Sequence, residues 1–251
     1  MKDDDQVAVI TGASSGIGLA ISESLCALGY KVYGFGRNFD RKEFLDSKLK
    51  EGKVCERFHP VVMDLLDTDK LCLKVREIMA EQDIHVLVNN AGVGYYGLHE
   101  ELNVRKIQEM VRINLEVPMI LTQMLLRTLK KNSGYIINIS SVTAEKSNPH
   151  GCAYGATKAG LSGFGPSLFE EARKYGVKVT TIQPDMTKTS LYRNADFEEG
   201  EEEAAYLLPK EVAEAVEYVL RQRDGVVVPK ITLQPQLHRI RRKTDKETKG
   251  K

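Results

Sequence analysis

Tyr154 and Lys158 are four residues apart, which places both side chains on one face of any helix that runs through them. A free tyrosine has a pKa of about 10 and is seldom ionised at neutral pH. A neighbouring ammonium group favours the phenolate, so the pair is a candidate for acid–base catalysis. Since any surface helix can carry the same spacing, the interpretation depends on the surrounding residues.

Ser141 precedes Tyr154 by thirteen residues and follows an apolar run, Tyr135–Ile139. Ligands of open α/β sheets bind at the carboxyl ends of the strands, where a serine after one strand can reach the next element. A hydroxyl group in that place can stabilise charge that develops on an oxygen atom. The sequence therefore predicts that Ser141, Tyr154 and Lys158 form one catalytic site.

A glycine-rich segment, Thr11–Gly18, follows the first apolar run and opens the first helical pattern. Gly12 permits a tight turn, Gly16 permits close approach of a pyrophosphate, and Gly18 permits close packing of helix on strand. The helix N-terminus then offers free N–H groups to phosphates. We therefore predict dinucleotide binding by Gly12, Ser14, Ser15, Gly16, Ile17 and Gly18.

The elements that must position these residues alternate between short β-branched runs and helix-length segments. The predicted strands are Val7–Ile10, Val32–Phe35, Val61–Val62, Ile84–Val88, Tyr135–Ile139, Val177–Ile182 and Val226–Val228. The predicted helices are Ile17–Leu28, Thr68–Ala80, Val104–Leu129, Lys158–Tyr175 and Pro209–Arg221. This alternation predicts an α/β fold of the Rossmann type, a doubly wound parallel sheet of seven strands with helices on both faces.

The composition is that of a globular protein and gives no case for nucleic-acid or membrane binding. The chain has 251 residues, 42% of them hydrophobic and 28% charged, with a formal net charge of +1. We expect one domain over residues 1–243, a polar and disordered tail over 244–251, and a cytoplasmic location. The four cysteines are expected to be free thiols, and Cys55 with His59 is too little for a metal site.

In order and spacing, these motifs resemble those of the short-chain dehydrogenase/reductase family, in its branch of roughly 250 residues. The resemblance covers about residues 6 to 190. It rests on TGASSGIG at Thr11–Gly18, Asp64, NNAG at Asn89–Gly92, Asn114, Ser141 and YGATK at Tyr154–Lys158.

The resemblance implies an oxidoreductase that interconverts ketones and secondary alcohols by hydride transfer, without a metal. Tyr154 would donate the proton, Ser141 would bind the substrate oxygen, and Lys158 would hold the cofactor ribose and lower the Tyr154 pKa. Asn114 would hold a water molecule for proton relay, although a purely structural role is also compatible with its position. Further cofactor contacts are implied for Asp64, Leu65, Asn90, Ala91, Gly92, Pro184, Thr187 and Thr189.

The residues after the second predicted strand favour NADP over NAD. NAD-binding proteins of this fold place a carboxylate there for the ribose 2′-hydroxyl, and here the position is Gly36. Arg37 follows and can pair with a 2′-phosphate, to which Ser14 can add a hydroxyl donor. We therefore expect NADPH to bind more tightly than NADH, and a Gly36→Asp change to shift the preference toward NADH.

Two departures from the family pattern concern the second half of the chain. Asp185 stands where the family has a glycine after Pro184, which raises the question of a left-handed backbone there. Gly165 and Pro166 fall within the helix after Tyr154, where proline is expected to kink the helix or start a new turn. That helix commonly builds the dimer interface of the family. Gly165 and Pro166 therefore alter the surface on which the expected homodimer or homotetramer would pack.

The substrate loop, residues 187–208, carries five clustered glutamates, and residues 238–243 are basic. A solvated loop and a frayed end are the simplest interpretations. The alternatives are a lid that orders on ligand binding, and a subunit contact or anion site. The substrate pocket is expected to be lined by Gly94, Tyr95, Tyr96, Asn148, His150 and the loop Met186–Leu208. A partly apolar ketone, such as a steroid or lipid-like ketone, is suggested by Tyr95, Tyr96, Met186, Leu191 and Tyr192.

A second class of function is a protein that senses nicotinamide redox state without turnover. The presence of Ser141, Tyr154 and Lys158 together argues against it, because a binding protein does not need all three. An epimerase or dehydratase of the family's longer branch is disfavoured by the chain length and the glycine spacing.

Overall fold

The computed structural model describes residues 6–47, 49 and 56–243. Its strands are β1 (Val7–Thr11), β2 (Lys31–Gly36), β3 (Phe58–Val62), β4 (Ile84–Asn89), β5 (Tyr135–Ile139), β6 (Lys178–Pro184), β7 (Phe197–Glu199), β8 (Lys230–Leu233) and β9 (Ile240–Arg242). Seven of them form one parallel sheet in the order β3-β2-β1-β4-β5-β6-β8. The chain crosses from β3 to β4 at the other side of β1, so the predicted doubly wound sheet of Rossmann type is confirmed.

Helices connect the strands on both faces of this sheet. They are α1 (Gly16–Ala27), α2 (Lys42–Leu45), α3 (Thr68–Glu81), α4 (Val104–Val111), α5 (Val117–Lys131), α6 (Cys152–Ala172) and α7 (Pro209–Leu220). Short 3₁₀ turns occupy His99–Glu101, Val142–Ala144, Arg173–Tyr175, Ser190–Asn194 and Glu203–Ala205. Of the helices in this described part of the chain, none has both the length and the apolar character needed to cross a bilayer.

The sheet is buried on both faces, as its nearly continuous apolar strands predict. Ala8 and Ile10 of β1 face a core shared with α1 and α7, whereas Val7 and Val9 face a second core shared with α3, α5 and α6. Successive side chains of a strand point to opposite faces, so a strand in such a sheet must be apolar throughout. The arrangement fixes the carboxyl ends of the strands rigidly at one edge.

The last strand of the sheet was predicted too early in the chain. Val226–Val228 is not a strand, and the ladder with β6 begins at Lys230. The earlier segment still touches β6, because the Thr180 hydroxyl donates to the Val228 carbonyl at 2.7 Å. Pro229 lacks the N–H that a regular ladder needs, so continuous pairing starts only after it.

The long helix that carries Tyr154 runs from Cys152 to Ala172, so Pro166, which was expected to kink the helix or start a new turn, does not divide it. It begins at Cys152 rather than Lys158, so both catalytic candidates lie on its first two turns. Pro166 is exposed, and Gly165 before it is buried, where an added Cβ atom would lie 2.9 Å from the Thr181 hydroxyl oxygen. The proline therefore faces solvent, where water can satisfy the carbonyl that it leaves without an N–H partner.

The acidic loop and the basic C-terminal segment pair with each other. β7 and β9 form an antiparallel ladder in which Glu198 lies opposite Arg241. Arg241 also pairs with Glu201 at 3.5 Å, and Arg239 pairs with Glu202 at 2.5 Å. Three of the five glutamates therefore have arginine partners, whereas the side chains of Glu201 and Glu202 stay largely exposed to solvent, as the interpretation of a solvated loop expects.

Backbone contacts extend this pairing beyond the ladder. The Leu237 N–H donates to the Ala204 carbonyl at 2.8 Å, and the Lys243 ammonium donates to the carbonyls of Tyr192 and Ala195. We call residues 237–243 the C-terminal strap, because they fasten the substrate loop along its length. The expected tail, residues 244–251, lies outside the described residues, as does Cys55.

Candidate active site

The glycine loop joins β1 to α1 with two residues in left-handed backbone conformations. Gly12 has φ of +69° and Gly16 has φ of +53°, values that favour glycine. Gly18 is required for space, since a Cβ atom there would lie 2.2 Å from the Gly12 carbonyl oxygen. The loop is thus folded tightly enough to present the N-terminus of α1 to a ligand.

Thr11 braces this loop against the end of β4, a role that the sequence interpretation missed. Its hydroxyl oxygen accepts from the N–H groups of Asn90 and Ala91, both at 3.0 Å. The Asn90 amide in turn donates to the Thr11 carbonyl at 2.9 Å. Thr11 and Asn90 therefore fix the glycine loop relative to the neighbouring strand.

One cavity runs from the glycine loop to Tyr154, and nearly all predicted site residues line it. These are Gly12, Ser14, Ser15, Gly16, Ile17, Arg37, Asp64, Leu65, Asn90, Ala91, Gly92, Ser141, Tyr154, Lys158, Pro184, Thr187 and Thr189. Its space, solvent-filled mouth included, is about 1310 Å³. The lining runs from the glycine loop to Ser141 and Tyr154, an arrangement that suits a dinucleotide with a substrate. Two predicted residues, Gly18 and Asn114, lie behind the cavity wall.

At the inner end of the cavity, Ser141 and Tyr154 line the same wall, and hydrogen bonding from the Ser141 side chain acts to lower the Tyr154 pKa. The Ser141 oxygen also accepts from the backbone N–H and the hydroxyl of Thr143, at 3.2 and 3.0 Å. Because two donors already point at this oxygen, its own proton is directed toward the phenol oxygen of Tyr154. That donation favours the phenolate, but burial outweighs it and raises the Tyr154 pKa to about 12.

Lys158 is buried beside Tyr154, with its ammonium nitrogen 5.8 Å from the centre of the phenol ring. The ammonium donates to the Ile139 carbonyl at 2.9 Å, and burial lowers its pKa to about 8. The expected lowering of the Tyr154 pKa by Lys158 is not found in the protein chain alone. Tyr154 therefore holds its proton throughout the neutral range, which suits a proton donor.

Asn114 lies at the centre of a π-helical segment, Arg112–Glu116, between α4 and α5. Its side-chain oxygen accepts from the Val93 N–H, and its amide donates to the Val93 carbonyl, both at 2.9 Å. The amide also donates to the Thr157 hydroxyl at 3.0 Å. The wide π turn directs Asn114 into the space between β4 and α6, where its side chain joins the two elements.

The comparisons with known proteins agree with this geometry. Residues 6–200 match the family model described as short chain dehydrogenase. The chain belongs to the short-chain dehydrogenase/reductase family. An uncharacterized oxidoreductase of Staphylococcus saprophyticus is 33% identical over 234 residues, which are 92% of this chain and 97% of that protein. The chain is therefore an oxidoreductase of this family, whose members act on small molecules.

Three further similar proteins have named activities. The NADPH-dependent 3-dehydrocapnine reductase of Ornithobacterium rhinotracheale is 34% identical over 75% of this chain and 68% of that protein. An alcohol dehydrogenase from Thermococcus sibiricus, solved with 5-hydroxy-NADP, has a TM-score of 0.81 and 27% identity over 93% of this chain and 97% of its own. Actinorhodin polyketide ketoreductase, solved with NADPH, has a TM-score of 0.79 and 27% identity over 94% and 98%.

In this short-chain dehydrogenase/reductase, the Asp185 that replaces the family glycine keeps an ordinary backbone. Among the described residues, the only ones other than glycine with positive φ are Ser133 and His150. The Asp185 carboxylate instead accepts from the N–H of Met186 at 2.8 Å and from the Gln234 side chain at 3.1 Å. The carboxylate thus builds the turn that leads to Thr187, and no left-handed residue is needed.

The substrate loop covers Tyr154 with aromatic rings. The Tyr96 ring centre lies 5.7 Å from that of Tyr154, 6.1 Å from that of Tyr192 and 5.1 Å from that of Phe197. Tyr154 is only 4% exposed beneath them. Tyr154 still lines the main cavity, so the rings narrow the access to the phenol without closing it off.

The predicted substrate pocket was correct in part. Leu191 and Tyr192 line the main cavity, and Tyr96 covers Tyr154. Five other predicted lining residues of the described chain do not border this cavity; they are Gly94, Tyr95, Asn148, His150 and Met186. Asn148 borders a separate cavity, which Cys152 also lines.

At the outer end of the cavity, Gly36 is required by packing. A Cβ atom there would lie 2.9 Å from the Ser14 Cβ atom and 3.0 Å from the Phe39 ring. A Gly36→Asp change therefore forces Ser14 or Phe39 to move, whatever effect the new charge has on the cofactor. For this reason the change is a poor test of cofactor preference. Arg37 lines the cavity as predicted, and the sequence interpretation missed Arg41 and Arg193 on the same wall.

Glu43 of α2 contacts the glycine loop, where its carboxylate accepts from the Gly16 N–H at 2.6 Å. A carboxylate at the N-terminus of α1 occupies a backbone donor of the kind that serves phosphates in this fold. No sequence signal pointed to this contact, because Glu43 lies outside every motif of the resemblance.

Within the described residues, no three His, Cys, Asp or Glu side chains converge as a metal site.

Proposed function

We propose that the protein is an NADP-dependent oxidoreductase that interconverts a ketone and a secondary alcohol. The observation that carries the proposal is the convergence of Ser141, Tyr154 and buried Lys158 at the inner end of the cavity. The outer end offers Arg37 and no carboxylate at Gly36, which supports NADP over NAD. The NADP and NADPH complexes among similar structures support the same cofactor.

The bound nicotinamide would supply or accept the hydride. Tyr154 donates its proton to the carbonyl oxygen during reduction, since its pKa of about 12 keeps it protonated. Ser141 is held by Thr143 with its proton free to bind the same oxygen and stabilise the charge that develops there. The aromatic rings of Tyr96 and Tyr192 exclude water from the reacting atoms.

Lys158 and Asn114 act behind Tyr154. In this proposal the Lys158 ammonium binds the cofactor ribose and lies where its charge stabilises the phenolate left after proton transfer. Asn114 fixes Val93 and Thr157, and the Thr157 hydroxyl donates to the Tyr154 carbonyl at 2.8 Å, so its role is to position the catalytic turn of α6. The implied water at Asn114 stays a prediction.

The experiment that tests the proposed function measures NADPH and NADH oxidation with a panel of ketones that vary in size and polarity. We expect turnover with at least one partly apolar ketone and a dissociation constant at least about tenfold lower for NADPH. Binding of NADPH without turnover on any ketone or alcohol would instead indicate the sensing protein. A cytoplasmic location and a homodimer or homotetramer stay predictions.

Replacing Glu43 by Gln is expected to tighten NADPH binding about two- to fivefold, as removal of ~0.5–1 kcal/mol of repulsion at a helix N-terminus predicts. The change removes the negative charge that competes for the Gly16 N–H. Titration of NADPH by fluorescence measures the effect, with Glu81→Gln at the exposed end of α3 as the matched control. Unchanged or weaker binding would show that Glu43 serves the loop fold rather than opposing the cofactor.

Deleting residues 237–251 removes the C-terminal strap and is expected to free the substrate loop. Amide hydrogen exchange over residues 196–200 then accelerates at least about tenfold, because the ladder partners of β7 are lost. The kcat/KM for a ketone falls as the cover over Tyr154 loosens. Deletion of residues 244–251 alone keeps the strap and serves as the control; equal exchange in the two truncated proteins would contradict the prediction.

A further inference from the structure

Three arginines from three separate segments line the outer part of the main cavity. Arg37 follows β2, Arg41 precedes α2, and Arg193 lies in the 3₁₀ turn of the substrate loop. Among the described residues, no carboxylate lies within the 4.0 Å of an ion pair from any of the three. Converging guanidinium groups without ion-pair partners are an arrangement that an anion completes.

The three charges act on one another across the cavity. Burial lowers the pKa of Arg193, and the nearby charges of Arg37 and Arg41 lower it further. Glu109, on the same wall, opposes this effect in part, but its carboxylate already accepts from the Tyr95 hydroxyl at 2.8 Å. Holding Arg193 near two other cations therefore costs free energy in the free protein, and a bound anion removes that cost.

Arg193 is oriented by its own turn. One guanidinium nitrogen donates to the Ser190 carbonyl at 3.0 Å, which leaves the rest of the planar group available to a ligand. Its neighbour in sequence, Tyr192, lies in the ring cluster over Tyr154. A ligand held by Arg193 therefore also fixes the part of the loop that covers the catalytic tyrosine.

We propose that Arg193 is a specificity-determining residue that binds the 2′-phosphate of NADP(H) together with Arg37 and Arg41, so that this phosphate closes the substrate loop. The proposal rests on the proposed function, because it assumes the nicotinamide cofactor. In this proposal the substrate loop responds to the cofactor phosphate as well as covering the substrate. NADPH and NADH then differ in how well they order the lid as well as in affinity, and the phosphate end of the cofactor communicates with the catalytic end through one turn of chain.

The test compares the wild-type protein with Arg193→Ala and Arg193→Lys variants, with Arg127→Ala as the matched control. Arg127 is an exposed arginine on α5, next to Thr128, whose hydroxyl accepts from the N–H of Ile84 at the opposite edge of the sheet. Dissociation constants for NADPH and NADH are measured by fluorescence titration. Hydrogen exchange of residues 189–199 is measured at saturation with each cofactor.

We expect Arg193→Ala to raise the NADPH dissociation constant about tenfold and to change that of NADH less than about twofold. Arg193→Lys keeps the charge, so its NADPH dissociation constant lies between those of the wild type and Arg193→Ala. Arg127→Ala changes neither the NADPH nor the NADH dissociation constant. Wild-type protein shows stronger loop protection with NADPH than with NADH, and Arg193→Ala loses that difference. Equal weakening of both cofactors, or no weakening of NADPH, overturns the assignment.

The result for the wild-type protein distinguishes a failure of the proposed function from a failure of the role of Arg193. A wild-type protein without NADPH preference contradicts the proposed cofactor, whatever the variants do. A wild-type protein that prefers NADPH and turns over a ketone, combined with an unchanged Arg193→Ala variant, defeats only the role of Arg193.

Discussion

Replacing Tyr154 by Phe is expected to lower kcat about a hundredfold to ten-thousandfold, the range that general acid–base catalysis contributes. The phenol proton is the one that the carbonyl oxygen receives, and its pKa of about 12 keeps it in place at neutral pH. The phenylalanine ring fills the same buried space beneath Tyr96. The Ser141 oxygen keeps its two donors from Thr143, so the site stays folded and NADPH still binds.

Steady-state kinetics with a reactive ketone measures the first effect, and fluorescence titration of NADPH measures the second. Tyr175→Phe, at an exposed tyrosine after α6, is the matched control and should leave both values unchanged. Retention of more than a few per cent of the wild-type kcat in Tyr154→Phe would mean that another group protonates the product.

Replacing Lys158 by Met is expected to abolish most of the activity while raising the stability of the fold. The folded protein holds this lysine with a pKa of about 8 against an ordinary value of 10.5, because burial disfavours the charged form. Below pH 8 the lysine is charged in both states, so its burial opposes folding by on the order of 3 kcal/mol. Methionine fills similar space without a charge, although the Ile139 carbonyl then loses its donor.

The destabilising effect of Lys158 on the fold decreases with rising pH. As the pH rises from about 8 to 10.5, the folded protein has released the Lys158 proton while the unfolded chain still binds it. The destabilising contribution of Lys158 therefore fades over this window and is absent above it. Urea unfolding of both proteins at pH 7 and at pH 10 measures this, with exposed Lys210→Met as control. A Lys158→Met variant less stable than wild type at pH 7 would contradict the prediction.

The fold, and the meeting of Ser141 and Tyr154 in one cavity, could be predicted because local sequence determines them. The alternation of apolar runs and helical patterns dictates a parallel sheet, and the carboxyl ends of its strands bring Ser141 and Tyr154 together. The glycine loop has its strained turns where Gly12 and Gly16 stand. These features depend on residues close in sequence or on rules that hold for all such sheets.

The remainder depends on contacts between distant residues that no local pattern records. The local sequence around the loop glutamates suggests unpaired negative charge. Their partners, Arg239 and Arg241, lie some forty residues later in the chain. The convergence of Arg193 with Arg37 likewise spans most of the chain. Pro166 was expected to kink its helix or start a new turn, and its sequence neighbours do not reveal that it lies on the exposed face of one continuous helix.

Ion pairs hold the C-terminal strap to the substrate loop, so the attachment of this loop depends on salt concentration. The pairs of Arg239 and Arg241 with the loop glutamates are partly exposed, so dissolved ions screen them, and the screening length shrinks from ~8 Å at physiological ionic strength to ~3 Å at 1 M. The same loop places Phe197 against Tyr96, over the catalytic phenol. Ionic strength therefore acts on how often the site opens, whereas proton transfer inside the closed, water-poor cavity is shielded from it.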